Sequence, residues 1–506
     1  MIKTIDCDVT IIGAGHNGLV AAAYLAQAGK KVRILEANGE IGGATTSVRA
    51  FPGFDARISR YSYLVSLLPD SIISDLGLNF ECISRTVSSY TPYENRGVNQ
   101  GLFVSRQWDE ATQASFTLLD PSGDEGKAWQ KFYGEIAEFA ESIAPTLLKP
   151  LMTRSELKAL IAKPSVWNYL IERPIGEVIT ERFKEDLVRG VVLTDALIGT
   201  FSSAFEMQAN ICFLYHLIGN GTGEWRVPKG GMGALVSELE RVVRDAGVVI
   251  ELNQRVIHVE SDSEGATVTT ADGQKIRSLY VLSNAAPQIL AELMEKIAPK
   301  SLDGSQMKIN ILLKRLPELK SGIDPRLAFA GTFHANESFS QCESVFEQAK
   351  QGAIPAMMPI EMYCHTLSDP SILSPELAEL GYQTLTLFGL HTPASLFDED
   401  NEVVRETALK SALASLNHYL AEPIESLIVG IEVKTPLDIE SEISLPRGNI
   451  FHRDLHFPFR EDGTEPSWGV ETDDSRIFIC GAGAIRGGGV SGVPGHNAAM
   501  AILAKV

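Results

Sequence analysis

The stretch VTIIGAGHNGLVAAAYLAQAGKKVRILEANGEIGGATTS, residues 9–47, places a glycine-rich turn between an apolar run and an alanine-rich segment. Residues 8–12 are predicted to form a buried parallel strand, because a short apolar run bounded by turn residues is typical of one. Residues 19–28 are predicted to form a helix that ends at Gly29, and residues 31–35 a second strand. This order of strand, turn, helix and strand predicts a nucleotide-binding βαβ unit.

The glycines of the turn follow the spacing G-x-G-x-x-G. Gly13 allows the tight turn, Gly15 lets a pyrophosphate approach the backbone, and Gly18 lets the helix pack closely on the sheet. The start of the helix offers N–H groups and a positive dipole end to phosphate. We therefore expect the neighbouring residues His16 and Asn17 to contact the same cofactor.

The second strand leads into Glu36 and Ala37. A carboxylate at this distance from the first glycine accepts hydrogen bonds from a ribose and repels a 2′-phosphate, so we expect an adenosine with free hydroxyls. A second glycine turn follows, with predicted contacts at Gly43, Ala44 and Thr45. It favours FAD over NAD, because FAD has a ribityl chain that needs further contacts. Taken alone, this second turn is also compatible with an ordinary surface turn, although the cofactor contact is favoured.

Two distant segments support FAD. Residues 227–260 are predicted to form a glycine turn, an amphipathic helix and a pair of strands. Residues 476–504 are predicted to form a strand, a glycine-rich turn and a helix whose N-terminus would stabilise negative charge on a flavin. We do not expect a second, NAD-binding unit there, because too few residues follow. The predicted cofactor contacts in these segments are Val256, Gly481, Ala482, Gly489 and Val490.

Composition and charge exclude several classes of function. The 506 residues allow two to four domain-sized cores, at roughly 150 residues each. A net charge of −20 argues against a nucleic-acid partner and against strong binding to anionic lipid. The chain shows no signal peptide, transmembrane stretch or metal-ligand spacing, and its six cysteines are scattered. We expect a cytoplasmic protein without a metal and with at most peripheral membrane contact.

The middle of the chain divides into two patterns. Residues 120–215 are mostly helical in pattern, with proline breaks, and are predicted to form a solvated lid. A membrane-dipping apolar entrance is the alternative for this segment. From residue 308 to 435 the apolar period changes to two, which predicts the strands of a second, substrate-binding sheet.

Candidate catalytic residues are few. Arg60 follows the second glycine turn and Arg486 precedes the last glycine run, so both are predicted to lie near the reacting part of the cofactor. His365 and His391 are predicted to lie in strands of the substrate domain. For these two histidines a structural role is favoured over catalysis.

Six segments together resemble a known family. They are GAGHNGL, LEANGEIGGATT, KGGMGAL, VLSNAAP, GNIFHRDL and CGAGAIRGGGVSGVPGHNAA. In this order they resemble the phytoene desaturase-related flavoproteins, in the branch that holds carotenoid ketolases and pyridine nucleotide-disulfide oxidoreductase domain protein 2. The resemblance implies an α/β fold of the amine-oxidase and Rab GDP-dissociation-inhibitor type. In that fold a Rossmann-like domain binds FAD, and an interleaved α+β domain covers the flavin.

This resemblance implies a domain division and an activity. The FAD domain would comprise residues 1–70, 225–295 and 445–506, and the substrate domain residues 71–224 and 296–444. The expected activity is that of a dehydrogenase or desaturase that transfers hydride from an apolar small molecule to FAD, with dioxygen or a quinone as the electron acceptor. The alternatives are an isomerase, a ketolase or an amine oxidase on the same fold, or a non-catalytic protein that binds a lipid or a partner, like the GDP-dissociation inhibitors.

Overall fold

The first of two large sheets is built around the opening strand. A computed structural model describes residues 5–219, 221 and 224–505. Cys7–Ile12 lies at the centre of this sheet and pairs in parallel with a strand on either side, and its residues Val9 and Ile11 are fully buried. In spatial order the strands are Val256–Ser261, Ala266–Thr270, Lys275–Ser283, Cys7–Ile12, Val32–Leu35 and Val249–Glu251, and Ile477–Ile479 pairs in parallel with Lys275–Ser283.

Three helices pack on this sheet. His16–Gln27 begins directly after the glycine turn, three residues earlier than predicted. It packs against Met232–Asp245 and against the C-terminal helix Val493–Leu503. The contact with the C-terminal helix is close, since a Cβ atom at Gly495 would lie 2.1 Å from the carbonyl oxygen of Asn17. The C-terminal segment is thereby held against the first helix, at the same edge of the sheet as the glycine turn.

The second sheet is mainly antiparallel. The period of two correctly predicts strands at residues 308–314, 383–391 and 426–435. The strand predicted at residues 328–333 is correct only at its end, since the structure has the strand Thr332–Ala335 there. The sequence patterns missed the strands before residue 110 and the one at 360–363. In spatial order the strands are Ile428–Lys434, Met307–Leu313, Gln383–Gly389, Ile360–Tyr363, Thr332–Ala335, Val87–Asn95 and Val98–Ser105.

The two faces of the second sheet differ. One face, with residues such as Ile309 and Leu387, forms an apolar core with the helix Asn401–Asn417. The other face carries a row of cross-strand partners, which we call the polar row: Lys308, Phe388, Glu361 and His334. Because side chains alternate between faces with a period of two, the register that buries the apolar set also places the polar row on the opposite face.

A helical layer with its own apolar core covers residues 110–218. The predicted helical character of residues 120–215 is confirmed. Its helices are Glu110–Leu119, Asp124–Ile143, Arg154–Leu160, Pro164–Trp167, Ile175–Arg182, Asp186–Thr194 and Met207–Ile218. In the part of the chain that the structure describes, no helix combines the length and the apolar character that a membrane span requires.

Short elements connect these layers. Two small antiparallel pairs join Ser47–Val48 to Ile58–Ser59 and Cys82–Ser84 to Arg226–Pro228. The remaining α-helices are Asp70–Leu76, Pro287–Leu293, Pro325–Ala328, Phe339–Lys350, His365–Ser368, Pro375–Glu379 and Pro436–Ile443.

Candidate functional site

A large cavity is lined by residues of both sheets. It encloses about 2080 Å³ of atom-free space, its open mouth included. One end lies at the carboxyl ends of the parallel strands, where open α/β sheets bind ligands. The other end lies at the polar row, where Lys308 and Phe388 form part of the wall. The cavity therefore runs from the glycine turns of the first sheet to the polar row of the second.

The glycine turns shape the dinucleotide end. Gly13 has φ +94°, which favours glycine, and the two turns meet where Gly42 N donates to Ala14 O at 2.9 Å. A Cβ atom at Gly15 would lie 2.7 Å from the Asn284 side chain, and one at Gly18 would lie 2.5 Å from Gly13 O. Glycine is therefore required at these positions for close packing as well as for turn geometry.

The Glu36 carboxylate joins the second strand to the glycine turn. Its Oε2 atom accepts a hydrogen bond from Ala14 N at 2.8 Å, and its Oε1 atom accepts one from Asn38 N at 2.9 Å. Two carboxylate oxygens offer about four acceptor positions, so two remain for the hydroxyls of a ribose. The side chain thus fixes the turn and is placed to bind an adenosine.

His16 links three segments of the cavity wall. Its Nδ1 atom lies 2.9 Å from Thr45 Oγ1 in the second glycine turn, and its ring also contacts the backbone of Gly489 near the C-terminus. Burial lowers the pKa of His16 to about 4, so the ring is neutral at physiological pH. A neutral ring here acts as a connector between the turns.

The structure brings most of the predicted cofactor contacts together. The cavity wall includes Gly13, Gly15, His16, Asn17, Glu36, Ala37, Gly43, Ala44, Thr45, Val256, Ala482, Gly489 and Val490. Gly18 and Gly481 lie behind the wall, and a Cβ atom at Gly481 would be 2.6 Å from Asn284 O. Both glycines support the wall by allowing close packing of the backbone behind it. Residues of the C-terminal helix do not line this cavity, whereas Gly489 and Val490, just before the helix, do; its first residue, Val493, lines a neighbouring cavity.

Asn284 is a site residue that the sequence reasoning missed. It lines the cavity, and its Nδ2 atom donates to Gly13 O at 3.4 Å. It directly follows the strand Lys275–Ser283, which pairs with the opening strand. Its position directly after a strand was the available signal, because adjacent parallel strands present their carboxyl ends at one edge of the sheet, where ligands bind.

The dinucleotide end fits FAD. Gly15 and Gly42 form a cradle that side chains would fill, since a Cβ atom at Gly42 would lie 2.9 Å from the Thr46 side chain. The buried Asn17 Oδ1 atom finds no hydrogen-bond partner among the described residues. The start of the helix His16–Gln27 faces the cavity and favours phosphate. Together with the Glu36 carboxylate, these groups match a pyrophosphate, a ribose and an extended second half of the cofactor.

Lys308 is the principal polar group at the other end, and the sequence reasoning missed it. The side chain is 2% exposed. Its Nζ atom donates to Tyr61 O at 2.9 Å and lies 4.1 Å from the centre of the Phe388 ring and 4.5 Å from that of Tyr63. Burial holds the pKa of this amine well below its ordinary value. The amine is therefore able to accept a proton inside an aromatic enclosure.

Buried acids lie behind this enclosure. Glu361 accepts a hydrogen bond from Tyr363 Oη at 2.8 Å, and the Tyr63 hydroxyl lies 3.5 Å from the same oxygen. Burial, together with the nearby Glu337 carboxyl, raises the pKa of Glu361 to about 8. Glu337 itself lies 2.6 Å from His334 Nδ1. At neutral pH Glu361 is therefore mostly protonated and presents no anion to the cavity.

Arg486, predicted to lie near the reacting part of the cofactor, does not line this cavity. Nη1 donates to the carbonyl oxygens of Thr146 and Lys149 at 2.8 and 2.7 Å, and Nη2 donates to Trp468 O at 3.0 Å. Backbone carbonyls bind the guanidinium because the loop at 146–149 passes directly beside the glycine run. These contacts are those of a side chain that supports the fold.

Arg60, the other predicted catalytic residue, also does not line the cavity. Its Nη2 atom pairs with Glu432 Oε2 at 2.8 Å, and its carbonyl oxygen accepts a hydrogen bond from Asn310 Nδ2 at 3.1 Å. Both partners belong to the second sheet, so Arg60 fastens its own segment there. The neighbouring residues Tyr61 and Tyr63 reach the cavity wall as a result.

The two candidate histidines lie outside the strands in which they were predicted. His365 is the first residue of the short helix His365–Ser368. His391 comes after the strand Gln383–Gly389 and itself has φ +53°. Both are buried, and neither lines the cavity. Among the described residues, no group of three or more His, Cys, Asp or Glu side chains is placed to hold a metal ion.

Comparisons with known proteins agree with this geometry. Residues 18–308 match the family described as flavin containing amine oxidoreductase. The chain is 42% identical to an uncharacterised protein of Mycobacterium tuberculosis (99% of this chain, 97% of the relative). It is 30% identical to pyridine nucleotide-disulfide oxidoreductase domain-containing protein 2 of Mus musculus (98% and 93%). It is 24% identical to the phytoene desaturase of Neurospora crassa (95% and 81%).

A solved structure supports the fold. An engineered putrescine oxidase superimposes with a TM-score of 0.60 at 18% identity, and the match covers 100% of both chains. The predicted α/β fold of the amine-oxidase type, with its interleaved substrate domain, is confirmed. The chain belongs to the flavin-containing amine oxidoreductase family and is an FAD-dependent oxidoreductase.

Proposed function

We propose that this oxidoreductase dehydrogenates a neutral, apolar small molecule. The observation that supports this most strongly is the charge of the cavity wall. Among the described residues of the wall, Glu36 is the only carboxylate, and it lies at the dinucleotide end. A substrate ammonium group at the other end would be buried without a counter-ion, which is unfavourable. The wall there consists mainly of apolar and aromatic side chains, among them Tyr63, Trp225, Phe388, Ile443 and Phe451.

Lys308 supplies the second requirement of a dehydrogenation. FAD, when bound, accepts the electron pair of a C–H bond as hydride. Formation of a double bond also releases a proton, from a neighbouring carbon or from a hydroxyl group. The Lys308 Nζ atom accepts this proton, because burial lowers the pKa of the amine and so favours its neutral form, which stays hydrogen-bonded to Tyr61 O. Tyr63 and Phe388 fix the position of the amine and exclude water from it.

The electron acceptor in this proposal is dioxygen or a quinone. We propose the cytoplasm as the location, since six unpaired cysteines suit a reducing compartment.

A matched pair of probes tests the proposal. FAD-loaded protein is mixed anaerobically with geraniol or with geranylamine, which share one hydrocarbon skeleton, and the visible absorbance of the flavin is recorded. We expect geraniol to perturb or bleach the flavin and the protonated amine to bind at least tenfold more weakly. Faster bleaching by the amine would overturn the proposal. Product analysis with and without an electron acceptor separates a dehydrogenase from a redox-neutral isomerase.

A further inference from the structure

A second, smaller cavity adjoins the large cavity of the candidate site, which we call the flavin cavity. This side chamber encloses about 540 Å³ of atom-free space, its open mouth included. Apolar side chains form most of its wall, among them Leu147, Ile211, Leu214 and Ile218. The exposed His456 marks its mouth at the surface. The side chamber thus leads from solvent toward the interior of the molecule.

The wall between the two cavities is thin. Leu67 and Tyr215 line both cavities. A Cβ atom at Gly489 would lie 2.1 Å from Tyr215 Oη and 2.9 Å from Leu67 Cδ1, so the bare backbone of Gly489 lets both side chains close against it. The buried Tyr215 hydroxyl finds no hydrogen-bond partner among the described residues. Rotation of the Tyr215 side chain therefore breaks no hydrogen bond.

Most polar groups of the side chamber are committed elsewhere. The terminal nitrogens of Arg486 donate to three backbone carbonyls. Ser491 Oγ accepts a hydrogen bond from Val493 N at 3.3 Å. The Tyr215 hydroxyl and Arg486 Nε keep no hydrogen-bond partner among the described residues, but the rest of the wall is mainly apolar and suits a hydrocarbon.

We propose that the side chamber receives the hydrocarbon tail of the substrate, which passes Leu67 and Tyr215 while the reacting carbon stays in the flavin cavity. This inference rests on the proposed function and deepens it, because it names the substrate class. The substrate is a molecule with a single apolar chain that is longer than the flavin cavity alone accommodates. A compact apolar ring system would leave the chamber empty.

A series of straight-chain alcohols tests this inference. FAD-loaded protein is titrated with 1-butanol through 1-dodecanol, and binding is followed by the perturbation of the flavin absorbance. Each methylene that enters an apolar site strengthens binding about fourfold. In the wild-type protein we expect this gain to continue to the long members of the series.

Two substitutions, at different positions in the wall, fill part of the chamber. In Ile211→Trp and in Leu147→Trp we expect short alcohols to bind as in the wild type and the longest ones to bind at least tenfold more weakly. Leu217→Trp is the matched control, because Leu217 lies on the helix of Ile211 but lines neither cavity. FAD content and melting temperature show that each variant is folded, and either filling variant alone suffices for the test.

The outcomes separate the two proposals. If the filling variants follow the wild type at every chain length, the side chamber does not hold the tail, and the proposed function stands. If no alcohol perturbs the flavin of the wild-type protein, the proposal of an apolar substrate is overturned together with the chamber.

Discussion

The two ends of the flavin cavity are built in different ways. The dinucleotide end uses glycines, backbone N–H groups and the Glu36 carboxylate, most of them within residues 13–45. The substrate end uses side chains from strands far apart in sequence, such as Lys308 and Phe388, which become neighbours through sheet register. A site made by local backbone geometry is visible as a motif, whereas a site made by register is visible only in the folded chain.

The largest effect is expected at the dinucleotide end. Gly18→Ala places a Cβ atom 2.5 Å from Gly13 O, between the first strand and the first helix. Neither backbone can move freely, so we expect loss of FAD binding and destabilisation by about 3 kcal/mol. Gly134→Ala is the control, since a Cβ atom there meets nothing within 4 Å. FAD content and thermal unfolding are the measurements, and equal behaviour of the two variants would contradict the packing argument.

Glu361, the buried acid behind the substrate end of the cavity, should make the free energy of unfolding depend on pH. The pKa of Glu361 is raised to about 8, from about 4.3 in an unfolded chain. Between these values the native state holds a proton that the unfolded state releases, so stability falls as pH rises and levels off above pH 8.

Glu361→Gln removes this titration while it keeps the shape of the side chain. From pH 5.5 to 8 we expect the free energy of unfolding in urea to fall by about 2–3 kcal/mol more in the wild type than in the variant. The neighbouring groups Asp195, His334 and Glu337 interact with Glu361, so the comparison reports the titration of Glu361 together with its effect on these neighbours. Parallel pH profiles would show that Glu361 is ionised in the native state.

A substitution at Arg486 tests whether this side chain stabilises the fold around the glycine run. Arg486→Met leaves three backbone carbonyls without their donor, and part of this loss is recovered from solvent. We expect the free energy of unfolding to fall by about 2–3 kcal/mol, with the FAD dissociation constant changed less than threefold. A stable variant that has lost turnover would instead return Arg486 to a catalytic role.

The ion pair of Arg60 and Glu432 should give the smallest effect. Both side chains are partly exposed, at 26% and 13%, so solvent screens the pair. A double-mutant cycle with Arg60→Met and Glu432→Gln should show a coupling free energy of about 1 kcal/mol. A coupling near zero would mean that Arg60 does not fasten its segment to the second sheet.

Much of the fold followed from local sequence patterns. The G-x-G-x-x-G spacing and the apolar run before it identified the strand Cys7–Ile12 and the helix after it, because each of these features acts within a few residues. The period of two at residues 308–314 identified a strand. It did not show that the polar positions face a cavity, since alternation alone does not distinguish a solvated face from a wall.

The placement of the two arginines illustrates a related point. Arg60 and Arg486 both lie beside glycine turns in sequence, and position along the chain suggested that both reach the cofactor. An arginine side chain is long enough to point away from its own turn, and each one meets stronger partners there. Glu432 and the carbonyl oxygens near residue 146 come from other elements, so no local pattern reports them.

The central claim is that the two ends have separate tasks: one binds FAD, and the other handles the substrate. Titration of the apoprotein with FAD tests this claim most directly, in the wild type, Glu36→Ala and Lys308→Met. We predict that Glu36→Ala weakens FAD binding by about ten- to a hundredfold, for a loss of about 1.5–3 kcal/mol, and that Lys308→Met changes it less than threefold. Equal FAD affinity in the wild type and Glu36→Ala would contradict the account.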